Sequence, residues 1–304
     1  MEKMTRRAFL ALGARTAALL GLSAAAGPGL ARALENLADG TAPVLWLQGQ
    51  SCSGCSVSLL NSEAPGPAEL LTDYIHLLFH GTLSAATGET AEQVIEKSVE
   101  LGGYYLVFEG AVPQGMPRAC TMGGKPMGDL LERAARGARA VLAVGSCASF
   151  GGIPAAENNP TGSVSVPDYL AGRGYSGKVL RLPGCPCHPD WIVGTLAHVI
   201  RFGLPPVDSF NRPTAFYGRV IHDQCPRFSD YEREKFAARF GDEGCLFKLG
   251  CLGPETHADC SSRLWNGGIN YCVRAGGPCI GCASEHFALT TGFPFYTKGR
   301  QKPA

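Results

Sequence analysis

Thirteen cysteines in a chain of 304 residues set the strongest limit on what this sequence can fold into. The number is odd, so a disulfide framework leaves one thiol over. A chain of this length also builds a core without dense covalent stapling. Metal ligation is therefore the first explanation to test. The composition agrees: 45% apolar and 17% charged residues describe a globular chain with much buried surface. Forty glycines and 21 prolines announce many tight turns, as a backbone wrapped around cofactors needs. A formal net charge of +1, with no finger spacing or basic aromatic stripe, gives nucleic acid no support.

The N-terminus reads as a targeting segment. Arg6-Arg7 ahead of Phe9-Leu10 resembles a Tat export signal, followed by an Ala/Leu/Gly run to about Leu30. Ala31-Arg32-Ala33 supplies an A-x-A-type cleavage site, so residues 1–33 form the signal and the mature chain begins near Leu34. Tat substrates cross the membrane folded, often with metals in place. A cysteine-rich protein sent to the oxidising periplasm by this route is expected to have filled its sites first. No other stretch reaches membrane-span length, and residues 295–300 are polar.

From Pro43 to about Asp208 the pattern alternates. Short apolar runs at Pro43–Gly49, Tyr74–Phe79, Tyr104–Phe108, Ala138–Val144 and Lys178–Leu182 predict strands. Helical spacing predicts helices at Ala91–Leu101, Met127–Gly137 and Asp190–Phe202. Such alternation implies an α/β domain with a doubly wound parallel sheet. No dinucleotide or Walker glycine loop is present. The character changes near Asp208. We expect a first domain over 34–208 and a second over 209–304, the latter loop-rich and mostly irregular, with one helix at Tyr231–Phe240.

The cysteines fall into groups. Cys52, Cys55, Cys147 and Cys185 each sit just past the end of a predicted strand. In an open parallel sheet, ligands gather beyond the carboxyl ends of the strands. Four thiolates delivered there suit an iron–sulfur cubane, with a structural zinc or buried free thiols as the alternatives. His222, Cys225, Cys245 and Cys251 form a second group, for which spacing leaves zinc and iron–sulfur equally open. Cys260, Cys272, Cys279 and Cys282 form a third, around a Gly-Pro-Cys-Ile-Gly-Cys stretch similar to ferredoxin loops. These groups use eleven cysteines and one histidine, leaving Cys120 and Cys187 as non-ligands. Glu109 reads first as a solvated loop carboxylate, with a subunit-interface contact as the alternative, and His188 as the start of the following helix.

Together these segments resemble the small subunit of [NiFe] hydrogenases. The matching stretches are Trp46-Leu47-Gln48-Gly49-Gln50-Ser51-Cys52-Ser53-Gly54-Cys55, Gly145-Ser146-Cys147-Ala148-Ser149-Phe150-Gly151-Gly152, Pro183-Gly184-Cys185-Pro186, Ile221-His222-Asp223-Gln224-Cys225 and Gly281-Cys282. The resemblance implies a flavodoxin-like first domain without flavin, followed by an iron–sulfur domain. It implies a proximal [4Fe–4S] cluster on Cys52, Cys55, Cys147 and Cys185, and a distal one on His222, Cys225, Cys245 and Cys251. Cys260, Cys279 and Cys282 match the medial ligands. The family's common medial site has three cysteines, holds [3Fe–4S], and carries proline where this chain has Cys272. A fourth thiolate there admits [4Fe–4S], as in the nickel–iron–selenium subgroup. Gly54 and Gly152 stand where oxygen-tolerant members carry two extra cysteines, so an ordinary proximal cubane is expected.

The implied function is electron relay from a large subunit with the Ni–Fe(–Se) site to an external carrier such as a c-type cytochrome. Two other readings stand beside it. A quinone-reductase-type iron–sulfur subunit lacks the His222-to-Cys282 region. An exported, disulfide-stabilised binding protein requires the cysteines to pair with one another.

Overall fold

The computed structural model describes residues 42–156 and 158–288. The expected export signal, its cleavage site and the polar residues 295–300 lie outside the described residues. Five strands form the central sheet: β1 (Pro43–Gln48), β2 (His76–His80), β3 (Tyr105–Glu109), β4 (Ala140–Val144) and β5 (Val179–Leu182). Their order is β2-β1-β3-β4-β5 and every pairing is parallel. This is the flavodoxin-like order, in which the strand sequence reverses direction between β1 and β3. The crevice beyond the carboxyl ends of β1 and β3 is thus the natural ligand position.

The strands are apolar on both faces because both faces are covered. On one side Leu45, Leu47, Leu106, Phe108, Val141 and Ala143 bury against helices α2 (Gly88–Leu101), α3 (Met127–Gly137) and α5 (Val166–Ala171). The alternate residues Val44, Trp46, Val107, Leu142, Val144 and Leu182 face α1 (Gly54–Leu59) and α6 (Pro189–Phe202). A further helix, α4 (Gly145–Phe150), follows β4 directly. α6 starts as the sequence suggests. Pro189 occupies the first helical position and the His188 ring accepts the Asp190 N–H at 3.1 Å.

After α6 the chain makes short helical turns, among them α7 (Thr214–Tyr217), α8 (Phe228–Glu232) and α9 (Cys260–Arg263). Their apolar residues extend the α6-side core: Phe216, Tyr217, Ile221, Leu246, Tyr271 and Val273 are buried in the same cluster as Trp46 and Trp191. Polar contacts fasten this region to the sheet domain. Trp191 donates its indole N–H to Asp259 at 2.8 Å, and Tyr217 donates its hydroxyl to the Pro183 carbonyl at 2.8 Å.

The helix expected at Tyr231–Phe240 does not form. α8 ends at Glu232, Glu234 takes a positive φ of 55°, and the backbone of Lys235–Ala237 pairs with Cys245. The aromatic spacing that mimics a helix serves a ring cluster instead. Tyr231 stands edge-on to His222, Phe236 and Phe247.

Candidate metal centres

The first sulfur group sits at the carboxyl edge of the sheet, on three loops and turns. β1 runs into Cys52 and, through α1, Cys55. β4 runs into Cys147 on α4, and β5 into Cys185. Burial pushes the Cys185 thiol up to about 12, and the neighbouring Cys147 and Cys52 add to the rise. Cys147 is pushed up to about 11 for the same reason, with Cys52 again beside it. Cys55 is raised by burial, then by Cys187, Glu109 and Cys147. All four thiols therefore lie in one neighbourhood. The raised thiols of Cys55, Cys147 and Cys185 are the opposite of a nucleophilic or thioredoxin-type site, whose cysteines are depressed. Metal binding supplies the driving force for deprotonating and gathering such groups.

Backbone geometry makes the approach possible. Gly145 has φ of 86°, and a Cβ there would lie 2.5 Å from Cys55 Sγ. Gly152 has φ of 51°, and its Cβ would lie 2.8 Å from the Cys147 amide nitrogen. A side chain at Gly152 would need the backbone itself to move. Amides point at the sulfurs: Gly54 N–H donates to Cys52 Sγ at 3.4 Å and Cys187 N–H to Cys55 Sγ at 3.4 Å.

Glu109 is not a solvated loop carboxylate. It is 2% exposed at the end of β3. Its carboxyl accepts the Cys55 N–H at 3.0 Å, the Trp46 indole at 3.3 Å, the Gln48 amide at 3.2 Å and the Ser56 hydroxyl. These donors come from β1 and α1, so they are invisible until the sheet register is known. The readable signal was its position at a strand end beside the switch point.

The third sequence group lines a cavity of about 330 Å³, bounded by Cys260, Cys272, Cys279 and Cys282 with the apolar Ile221 and Trp265. Four sulfurs on one largely apolar cavity are the donor set a cubane requires. Cys185 of the first group also lines it. In the second group, Cys251 and Cys245 lie near Cys225 and near each other, each thiol raised chiefly by burial. Cys225 Sγ receives the Arg227 N–H at 3.4 Å and the Tyr271 hydroxyl at 3.6 Å. His222, on the turn leading into Cys225, packs its ring against Phe228 and Tyr231. Burial holds its pKa below the usual imidazole range, which favours the neutral form a metal needs. Its backbone lies by Gly253, which also touches Cys251 Sγ.

The middle group touches both others. Cys279 N–H donates to Cys251 Sγ at 3.3 Å, and the Ser146 hydroxyl donates to the Cys282 carbonyl. All thirteen cysteines are free of disulfides, which removes the pairing that a disulfide-stabilised binding protein requires. Among the described residues, no three His, Cys, Asp or Glu side chains converge on a point for a single metal ion. Cys120 packs beside the α3-side core. Cys187 is wholly buried and abuts the first group.

A flavodoxin-ordered sheet whose carboxyl edge presents sulfurs, continued by a sulfur-lined second region, is the scaffold that an iron–sulfur electron-transfer protein requires. Residues 217–296 match the C-terminal family of NiFe/NiFeSe hydrogenase small subunits, and residues 52–199 match the NADH ubiquinone oxidoreductase 20 kDa subunit family. The chain is 42% identical over 313 residues to the periplasmic [NiFeSe] hydrogenase small subunit of Desulfomicrobium baculatum, covering 96% of this chain and 98% of that one. It is 40% identical over 300 residues to the hydrogenase-2 small chain of Escherichia coli K12, covering 95% and 79% respectively. The crystal structure of the reduced, active Ni-Fe-Se hydrogenase from Desulfomicrobium baculatum superposes with a TM-score of 0.80 at 43% identity, over 84% of this chain and 99% of that chain. The chain belongs to the NiFe/NiFeSe hydrogenase small-subunit family. It is the electron-transferring partner in a hydrogenase heterodimer, and its family carries iron–sulfur clusters. The match over residues 217–296 is what separates it from the quinone-reductase subunits, which share only the first region's plan.

Proposed function

We propose that this chain relays electrons one at a time between a Ni–Fe(–Se) large subunit and an external carrier, through three [4Fe–4S] clusters. Cys52, Cys55, Cys147 and Cys185 would hold the proximal cluster. Cys260, Cys272, Cys279 and Cys282 would hold the medial cluster, and His222, Cys225, Cys245 and Cys251 the distal one. The observation that carries this reading is contiguity: the medial group meets the proximal group at Cys185 and the distal group at the Cys279 amide. Once bound, the clusters supply one-electron exchange at potentials set by ligand charge, burial and hydrogen bonds to sulfur.

The chain's own residues set those terms. Cys272 makes the medial site four-thiolate, which adds negative charge and lowers its potential relative to a three-cysteine site. His222 offers a neutral ligand where a thiolate would be anionic, which raises the distal potential. Cys52 is exposed, with Val57 on α1 at 56% exposure and Leu60 just past its end at 39%. This is the face the large subunit would cover. The carrier, a c-type cytochrome in our reading, would meet the His222 end.

Export by the Tat route to the periplasm belongs to the same proposal and rests on Arg6-Arg7 and Ala31-Arg32-Ala33. Among the described residues, no helix is long and apolar enough to cross a membrane.

Cys272→Ala tests the medial assignment. The wild-type heterodimer should contain about twelve small-subunit irons and no oxidised [3Fe–4S] EPR signal. The variant should lose about one iron, gain that signal, and show a raised medial potential. A [3Fe–4S] signal already present in the wild type, or no change in the variant, would remove Cys272 from the ligand set.

A further inference from the structure

The geometry points to Ser146 as the residue that fixes the proximal centre against the medial one, an inference that rests on the cluster reading above. Ser146 is 1% exposed and lies between Gly145, which packs on Cys55 Sγ, and the proximal ligand Cys147. Its amide N–H and its hydroxyl are spent on neighbours of cluster residues. Its N–H donates to the Gly184 carbonyl at 3.0 Å, and its hydroxyl oxygen accepts the Gly184 N–H at 2.9 Å. This two-way clasp holds the residue directly before the proximal ligand Cys185. The hydroxyl hydrogen is then left for the Cys282 carbonyl of the medial group.

One side chain therefore joins three segments far apart in sequence: the start of α4, the loop after β5, and the medial loop near the C-terminus. No other contact among those described ties a proximal ligand turn to the Cys282 carbonyl. The Cys185 amide also faces Cys282 Sγ, and that contact depends on the loop the serine holds. Losing the hydroxyl removes the side-chain half of the clasp on Gly184 and the bond to Cys282, leaving the backbone bond to the Gly184 carbonyl. The two centres then keep their ligands but lose their mutual register. The process affected is transfer of one electron from the proximal to the medial position, with no bond made or broken and no proton moved. Ser146 is thus a positioning residue: it touches neither hydrogen nor, through its side chain, a sulfur.

The test compares wild type, Ser146→Ala and Ser146→Thr in the whole heterodimer. Three quantities are read: the EPR splitting between reduced proximal and medial clusters, amide hydrogen exchange over 183–187 and 280–284, and the ratio of acceptor-coupled turnover to hydrogen-isotope exchange. The last reaction needs the large-subunit site and not the medial position. Ser146→Ala should alter the splitting, speed amide exchange in both segments, and lower the ratio. Ser146→Thr, which retains the hydroxyl, should restore all three. An alanine variant with unchanged splitting and ratio overturns the inference. So does loss of iron in parallel with both activities, which would make Ser146 a folding residue only. Absence of iron from the wild-type chain would instead sink the cluster reading, and this proposal with it.

Discussion

A Glu109→Ala chain loses about 3–5 kcal/mol of stability, and its thermal unfolding falls by roughly 10 °C in the assembled heterodimer. The size of the effect follows from what the carboxylate does. Four donors converge on it: the Cys55 N–H, the Trp46 indole, the Gln48 amide and the Ser56 hydroxyl. The site is closed to water at 2% exposure, so truncation leaves those donors without partners. Glu109→Gln separates charge and shape from hydrogen bonding. Its amide keeps one acceptor oxygen but turns N–H groups toward a site already full of donors. It should therefore retain more than half of the loss. Calorimetry of both variants checks this; a glutamine variant as stable as wild type would show that the donors find other partners. Because the Cys55 N–H is among them, the alanine variant should also bind iron poorly at the proximal site.

The second large effect is expected at Gly145→Ala. At φ of 86° any side chain is strained, by about 1–2 kcal/mol. The added methyl would also sit 2.5 Å from Cys55 Sγ, which no sulfur tolerates. Overpacking adds about 1–3 kcal/mol, and the sulfur is the group that must move. The variant should accumulate as a heterodimer short of about four irons, with the proximal EPR signal lost and the other two retained. Full iron content with a normal proximal signal would mean that the turn relaxes around the methyl.

These two residues also show where the sequence stops being legible. The strands were readable because both faces of the sheet are buried, leaving near-continuous apolar runs such as Ala140–Val144. The long helices were readable from their apolar spacing, and α6 also from its Pro189 start. The sulfur groups were readable because cysteine announces itself and four of its positions follow the ends of three strands. Glu109, Gly145 and Ser146 stand at strand ends, the last two inside a family-like stretch, but their roles are not written there. Each matters through a partner 38 to 136 positions away, as in the Ser146 contacts with Gly184 and Cys282. Only the sheet order brings such partners together. The missed helix has a related cause. Tyr231 and Phe236 are spaced like one helix face, but their burial comes from stacking around His222 and Phe247. A loop-rich region that packs around sulfur and aromatic groups has little reason to obey helical periodicity.

The arrangement as a whole depends on distant sulfurs and one imidazole enclosing three inorganic centres in a row. Diffraction at the iron absorption edge from crystals of the heterodimer tests that directly. We expect three resolved groups of irons, about twelve in all, with the middle group enclosed by Cys260, Cys272, Cys279 and Cys282 and the outermost one bonded to His222. Fewer groups, a His222 ring turned away from iron, or sulfurs joined to one another would contradict the account.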